Sequence, residues 1–191
     1  MVTSKHGYPR PLILKNGEEV WLRLLDSVND EQGIFDFYAR LTETDRWYLW
    51  HDVSDPKVVR ECILGYDERL VLPVVAVNQH DDIVGKGNLY RNFPGARGHI
   101  TRVRVVVDPA YRNQRLGTYL LMDLIQLSMN LGLKIITADF IKGVEDGAIR
   151  AARKLDFFEQ AVIPDYAKDQ RGNSYDLALM VKRIHSGYDD F

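Results

Sequence analysis

The stretch VRVVVDPAYRNQRLGT, residues 103–118, decides the fold of this chain. Four of its first five residues are valines, and β-branched side chains favour a buried strand. Asp108-Pro109 ends that strand because proline has no amide hydrogen to give to a sheet. From residue 116 onward, leucines recur every three or four positions, which predicts one face of a helix: Leu116, Leu120, Leu124, Leu127 and Leu131. The predicted order is therefore strand, short basic loop, helix.

The loop between this strand and helix, residues 108–115, predicts an anion site. Backbone N–H groups that converge at the start of a helix bind anions. Arg112 and Arg115 add positive charge, and Gly117 lets a ligand approach the backbone closely. The loop lacks the Gly-Lys-Ser/Thr of a P-loop and the three glycines of the dinucleotide fingerprint. Two interpretations stay open here: a phosphate cradle, or an ordinary strand–helix unit with solvated arginines.

The length and charge of the chain limit what it can be. With 191 residues and a formal net charge of −2, we expect one domain over residues 1–191, with its core within residues 12–184. The charge gives no general basic footprint, so nucleic acid is not an expected partner. Basic residues are nevertheless concentrated near the loop: Arg102, Arg104, Arg112 and Arg115.

The single cysteine, Cys62, allows no intrachain disulfide, and nothing indicates secretion. The first ten residues include Lys5, His6, Pro9 and Arg10 and contain no apolar run. We therefore expect no signal peptide and no membrane-spanning segment. The prediction is a cytoplasmic protein without a membrane partner.

Hydrophobic periodicity predicts the remaining elements of the chain. The predicted order is β-α-α-β-β-β-α-β-α-β-β, an α+β fold with a mixed sheet of about seven strands flanked by about four helices. A parallel return after the central helix implies a right-handed crossover. We expect strands at residues 20–25, 70–77, 83–90, up to 107, 133–140, 157–166 and 174–184.

The segment RWYLWH, residues 46–51, is an aromatic cluster that is too dense for a typical loop. One interpretation is a small satellite core beneath a loop, because large aromatic side chains are usually buried. The other is a wall of a pocket that binds an acceptor substrate, with Trp47 and Tyr48 as the binding residues. The sequence leaves both interpretations open.

Residues 105–120 fit the pattern Val-x-Val-x-Pro-x-Tyr-Arg-x-x-x-x-Gly-x-x-Leu, which resembles motif A of the GNAT N-acyltransferase superfamily. In that family the loop binds the pyrophosphate of acyl-coenzyme A through backbone amides. The family's first loop glycine is Arg115 here, so we expect amide donation provided that φ is below zero at Arg115. The resemblance implies the following cofactor-binding residues: Val105, Val106, Val107, Arg112, Asn113, Gln114, Arg115, Leu116, Gly117 and Thr118.

The predicted order of elements resembles the GNAT fold along nearly the whole chain. Residues 14–23 and 41–48 are in addition similar to a subgroup, the bacterial protein lysine acetyltransferase domains that are often fused to acyl-CoA synthetase modules. That subgroup usually carries Arg-Phe after the tyrosine, where this chain has Leu49-Trp50.

The side chains that the family uses for proton transfer are absent here. The resemblance places the family's glutamate base at Thr101, or at Arg102 if the register slips, and its tyrosine acid at Ala152. His99 has a reference pKa near neutrality and, in an extended strand, faces the same side as Thr101. We therefore predict His99 as the base, and the alternative is a surface histidine at the start of a strand.

Two functions stay open from the sequence. The first is an N-acetyltransferase that transfers an acetyl group from acetyl-CoA to a primary amine, on a protein lysine, an N-terminus or a small molecule, by direct attack in a ternary complex. There the backbone N–H of Val105 or Val106 binds the thioester carbonyl oxygen. The second is a catalytically weak acyl-CoA-binding regulatory module, which the missing acid and base favour. No metal is expected, and a homodimer is one of the assemblies that stay open.

Overall fold

A computed structural model describes residues 5–184 of the chain. Its strands are β1 (Arg10–Ile13), β2 (Glu19–Leu24), β3 (Val71–Val77), β4 (Ile83–Arg91), β5 (Ile100–Val107), β6 (Ile135–Ile141), β7 (Phe158–Lys168) and β8 (Ser174–Arg183). Its helices are α1 (Glu31–Arg40), α2 (Glu43–Trp47), α3 (Pro56–Val58, continued by a π-helical turn Val59–Leu64), α4 (Leu116–Asn130) and α5 (Asp146–Arg153). Short 3₁₀ turns occupy Lys5–Gly7 and Pro109–Tyr111.

The strands form one mixed sheet in the order β1-β2-β3-β4-β5-β6-β8-β7. Strand β5 is parallel to β6 from Ile100 paired with Ile135 to Arg102 paired with Thr137. The strand–helix–strand unit predicted around α4 is therefore confirmed, and so is the predicted α+β class with a mixed sheet.

The structure has one strand more than the sequence predicted. Strand β1 pairs antiparallel with β2, from Arg10 opposite Leu22 to Ile13 opposite Glu19. It is only four residues long and contains Pro11, which cannot donate to a ladder and is tolerated mainly at a sheet edge. A strand this short gives almost no periodicity, so sequence patterning missed it.

The described chain divides into two compact units, and the first contains residues 5–88 and 105–120. Strand β2 pairs antiparallel with β3, and Leu22 is opposite Ala76. Asp55 caps the start of α3, because its side chain accepts a hydrogen bond from Lys57 N. A cluster of buried residues forms the core between these elements: Leu25, Ile34, Phe37, Tyr38, Leu41, Val53, Val59, Ile63, Leu64, Val75, Val77 and Ile83.

Gly85 fixes how closely α4 packs on β4 within this unit. A Cβ atom at Gly85 would lie 2.9 Å from Leu120 Cδ1 and 3.2 Å from Leu116 Cδ2. A side chain at position 85 would therefore require these two leucine side chains to shift.

The second unit contains residues 89–104 and the described residues from 121 to 184. Strand β8 pairs antiparallel with both β6 and β7. Helix α5 begins one residue after Glu145, and Asp146 in its first turn accepts a hydrogen bond from Gly143 N. At the end of α4, Gly132 has a φ of 70° and closes the helix.

Candidate active site

The end of strand β5 is held in place by a buried carboxylate. Asp108 accepts a hydrogen bond from Ala110 N at 3.0 Å, which starts the 3₁₀ turn Pro109–Tyr111. The same carboxylate receives Arg40 Nε at 2.5 Å, and Arg40 also donates to the carbonyl of Ile83 at 2.6 Å. These three hydrogen bonds therefore fix the point at which the chain leaves the sheet and enters the loop.

The loop that follows has a backbone suited to binding an anion. Asn113 has a φ of 61° and Arg115 a φ of 71°, both in the left-handed region that favours glycine. The expected φ below zero at Arg115 is therefore wrong, because Arg115 adopts the left-handed conformation. The switch from left-handed Arg115 to helical Leu116 is typical of the nests whose N–H groups converge on an anion.

Helix α4 adds its own N-terminus to this loop. Its first intrahelical hydrogen bond joins Tyr119 N to Arg115 O at 3.0 Å, so the amides of Leu116, Gly117 and Thr118 precede the intrahelical ladder and have no acceptor within it. A Cβ at Gly117 would lie 3.5 Å from Val107 Cγ2, which is ordinary contact. Loop and helix together present convergent donors that fit a pyrophosphate.

The loop is also braced from the N-terminal hairpin, which sequence reasoning did not foresee. Lys15 N donates to Gln114 O at 3.2 Å, and the Tyr111 hydroxyl donates to Glu18 at 2.7 Å. Asn78 Nδ2 donates to the same Tyr111 oxygen at 3.2 Å. No sequence signal could have found these partners, because the contacts join residues far apart in the chain.

Three of the four arginines near the loop are paired with carboxylates. Arg112 contacts Asp45 of α2 at 2.7 Å and donates to Val107 O at 3.3 Å. Burial raises the pKa of the Asp45 carboxyl, but hydrogen bonds from Arg112 and Thr42 outweigh it and hold that pKa below its usual value. Among residues 5–184, Arg115 is the member of this group that forms no ion pair.

In the second unit, Arg102 contacts Asp139 at 3.4 Å and Arg104 contacts Glu145 at 2.8 Å. The positive charges of Arg102 and Arg104 are therefore balanced by ion pairs within the second unit. Each has an acidic partner that lies distant in the sequence and near in the fold.

The positions of the family's acid and base carry other groups. Thr101 is fully buried, and its hydroxyl donates to Tyr90 O at 2.8 Å. Ala152 is buried on α5. His99 is exposed and lies one residue before β5.

The aromatic cluster lies in and after α2. The capping box of this helix joins Thr42 and Asp45. Trp47 is 49% exposed and Trp50 is 41% exposed, while Leu49 packs against the core cluster. The interpretation of the cluster as a satellite core is therefore wrong for the two tryptophans. Trp47 keeps accessible surface that a substrate could contact.

The first unit also contains a buried lysine that no sequence pattern indicated. Lys86 on β4 is 4% exposed, and its Nζ lies 3.3 Å from the Tyr38 hydroxyl and 5.8 Å from the centre of the Tyr38 ring. Burial lowers the pKa of the Lys86 ammonium to about 7. An amine with such a pKa can exchange a proton near neutral pH.

Within the described residues, no three His, Cys, Asp or Glu side chains are grouped as a metal site requires. None of the helices in that part of the chain is both long and apolar enough to cross a membrane.

A strand that ends at a 3₁₀ turn, followed by an amide-lined loop and a helix N-terminus, is an arrangement that can bind a phosphorylated ligand. The model of the acetyltransferase (GNAT) family matches residues 32–157. The chain belongs to this family, and it is an acetyltransferase whose acyl donor is acetyl-CoA. The predicted family, enzyme class and donor are therefore confirmed.

One curated relative is a Bacillus subtilis (strain 168) protein described as a phosphinothricin acetyltransferase, YwnH. It is 29% identical over 82 residues, which cover 43% of this chain and 49% of the relative. The match thus spans about half the length of that protein.

Solved structures share the fold across most of their length. A GCN5-related N-acetyltransferase from Kribbella flavida has a TM-score of 0.75 at 19% identity, covering 86% of this chain and 98% of that one. An acetyltransferase-type protein from Salmonella typhimurium, solved with its cofactor acetyl-CoA, has a TM-score of 0.67 at 22% identity, covering 88% and 96%. The ribosomal-protein-S5-alanine acetyltransferase from Vibrio fischeri has a TM-score of 0.72 at 18% identity, covering 87% and 94%.

Proposed function

We propose that this acetyltransferase transfers the acetyl group of acetyl-CoA to a primary amine by direct attack in a ternary complex. The observation that carries the proposal is the loop of residues 112–118, whose left-handed residues and free helix amides offer donors for a pyrophosphate. The acceptor is an amine on a protein lysine, a protein N-terminus or a small molecule.

In this proposal the residues divide into a donor group and an acceptor group. The backbone amides of residues 112–118 bind the pyrophosphate, and the exposed guanidinium of Arg115 adds charge beside it. The N–H of Val105 or Val106 donates to the thioester carbonyl oxygen, where negative charge develops. Trp47 and Tyr48 contact the acceptor.

The reaction needs one proton removed and one leaving group accommodated. The acceptor ammonium loses a proton, and the nitrogen lone pair attacks the thioester carbon. The C–S bond then breaks, and the thiolate leaves with its electron pair. A thiolate with a reference pKa of about 8.5 is a tolerable leaving group, so loss of the tyrosine at Ala152 does not prevent the reaction, since positioning supplies much of the rate.

The second candidate is an acyl-CoA-binding regulatory module with little turnover. The observation that favours it is the absence of the family's acid and base, since Thr101 and Ala152 are buried groups without acid–base capacity. We further propose a cytoplasmic location and a single domain over residues 1–191, and a homodimer stays one of the possible assemblies.

The experiment follows thiol release from acetyl-CoA with a panel of amines: lysine peptides, peptides with free N-termini, polyamines and amino acids. Mass spectrometry of the acceptor must show a gain of one acetyl group. Release that depends on an amine supports the transferase. Tight acetyl-CoA binding without amine-dependent release would support the regulatory module, and the absence of both would contradict the proposal.

A further inference from the structure

Lys86 is an unusual residue to find inside a folded core. Its amine is buried, and among residues 5–184 the hydrogen bond to Tyr38 is its polar contact, with no carboxylate beside it. A buried ammonium without a counter-ion is costly to the folded state. A methionine of similar length would fill the space without that cost, so the amine calls for a functional explanation.

The charged groups on the neighbouring elements form ion pairs with residues other than Lys86. On α1 and at the end of β5, Arg40 and Asp108 pair with each other. Farther along β5, Arg104 pairs with Glu145. Strand β3 carries no titratable side chain.

Two other side chains near this core are also accounted for. Tyr66 packs against the core cluster and donates to Leu25 O at 3.1 Å. On β4 itself, the ring of Tyr90 faces Arg102 at 5.8 Å. Tyr38 is therefore the titratable group in contact with the Lys86 amine.

Lys86 also lies close to the backbone proposed to hold the thioester. Asp108 N donates to Val84 O at 3.0 Å, which joins the end of β5 to the start of β4. Two residues inward from this bond along each strand are Lys86 and Val106. Val106 packs against the core cluster that contains Tyr38, so the Val106 backbone and Tyr38 border the same core.

Tyr38 is also joined to the proposed acceptor wall. It lies in the last turn of α1, four residues before Thr42, which caps α2. Arg46 of α2 donates to Tyr38 O at 3.4 Å, and α2 ends at Trp47. The tyrosine thus connects the helix leading to the acceptor residues with the buried amine.

We propose that Lys86, acting through the Tyr38 hydroxyl, takes up the proton that the acceptor amine loses during acetyl transfer. The acceptor ammonium gives a proton to the Tyr38 oxygen while Tyr38 passes its own proton to the lone pair of neutral Lys86. The acceptor nitrogen then attacks the thioester, and the Lys86 ammonium returns its proton to solvent or to the departing thiolate. The inference rests on the proposed transferase function.

The depressed pKa of Lys86 supports this role. Near pH 7 about half of the lysine is neutral, because burial lowers its pKa to about 7. A proton acceptor works best when its pKa lies near the working pH. Tyr38 keeps its proton between transfers, since tyrosine ordinarily ionises near pH 10.

The test compares Lys86→Met, Lys86→Arg and Tyr38→Phe with the wild type in pH–rate profiles of acetyl transfer. We expect kcat to fall by about 10²–10⁴-fold in each variant, with the acetyl-CoA dissociation constant nearly unchanged. The profile should lose its limb near pH 7. Lys86→Arg should not rescue it, because a guanidinium stays protonated.

Lys182→Met is the matched control, because Lys182 is also largely buried and pairs with Asp156 away from this cluster. It should keep the wild-type limb. Full activity of Lys86→Arg would overturn the proposal by showing that a fixed charge suffices, as for anchoring an acidic acceptor. A limb lost in His99→Gln and kept in Lys86→Met would overturn it in favour of His99.

A second measurement does not depend on turnover. In protein with ¹³C-labelled lysine, the Cε signal that disappears in Lys86→Arg should titrate near pH 7. Titration above pH 9.5 would overturn the inference even for an active transferase. Conversely, if no amine accepts acetyl from the wild type, the transferase proposal fails whatever the lysine signal shows.

Discussion

Two segments of this acetyltransferase hold a residue other than glycine in the left-handed backbone region that favours glycine. Arg115 in the cofactor loop has a φ of 71°, and Asp156 after α5 has a φ of 60°. Four residues before Asp156, the buried Ala152 stands where the resemblance places the family's tyrosine acid. The comparison teaches that the fold enforces backbone conformation against an unfavourable residue, whereas a lost side chain takes its chemistry with it.

Function delivered by backbone should therefore tolerate most substitutions, except those that fill the space of the ligand. We expect Gly117→Glu to abolish binding of acetyl-CoA, because it places a carboxylate where the pyrophosphate belongs. Binding is measured as the rise in melting temperature with ligand. Gly117→Ala is the control, since its Cβ meets Val107 at ordinary contact distance, and it should keep most of the rise. If acetyl-CoA raises the melting temperature of Gly117→Glu as much as that of the wild type, the proposed pyrophosphate site at this loop is contradicted.

Function delivered by a side chain should disappear with that side chain, and Lys86 allows a measurement through stability. Its pKa is about 7 in the folded protein and about 10.4 when unfolded, so between these values the unfolded state binds more protons. The free energy of unfolding therefore rises with pH across this window, by about 1.4 kcal/mol per pH unit for one proton. In urea unfolding measured from pH 7 to 9, the free energy of unfolding of the wild type should rise relative to that of Lys86→Met with this slope. Parallel curves would contradict the low pKa.

The fold was largely predictable because its signals are local. The valines before Asp108-Pro109 and the leucine spacing from Leu116 mark a strand and a helix by themselves, and the structure has both. The partners of Arg112 and Arg104 were not predictable, since Asp45 and Glu145 become neighbours only through folding.

Lys86 was missed for a related reason. Lys86 lies between two glycines, and a lysine in a sequence carries no sign of burial. Only the packing of α1 beside β4 reveals that its amine contacts Tyr38.

The two left-handed positions, Arg115 and Asp156, can be compared directly by placing glycine at each of them. Left-handed backbone at a residue other than glycine costs on the order of 1–3 kcal/mol, and glycine's extra freedom when unfolded returns part of that. We expect Arg115→Gly and Asp156→Gly each to raise the free energy of unfolding by about 1 kcal/mol. In acetyl-CoA titrations, Arg115→Gly should weaken binding more at low salt than at high salt, because exposed charges are screened. Asp156→Gly should leave binding unchanged, and equal effects of both variants would show that Arg115 does not contact phosphate.

The smallest expected effect concerns the ion pair that occupies Arg112. Asp45 pairs with this arginine at 2.7 Å. It is also the N3 residue of α2, which forms the capping box with Thr42. A bound pyrophosphate competes with Asp45 for the same guanidinium. Asp45→Asn should therefore release Arg112 and tighten acetyl-CoA binding a few-fold in low salt, with the gain fading as salt screens the charges. Thr42→Ala is the control, because it removes the cap of α2 and keeps the Arg112 pair. If Asp45→Asn and Thr42→Ala change the dissociation constant equally, the effect comes from the helix cap, and Arg112 stays with Asp45 when the cofactor binds.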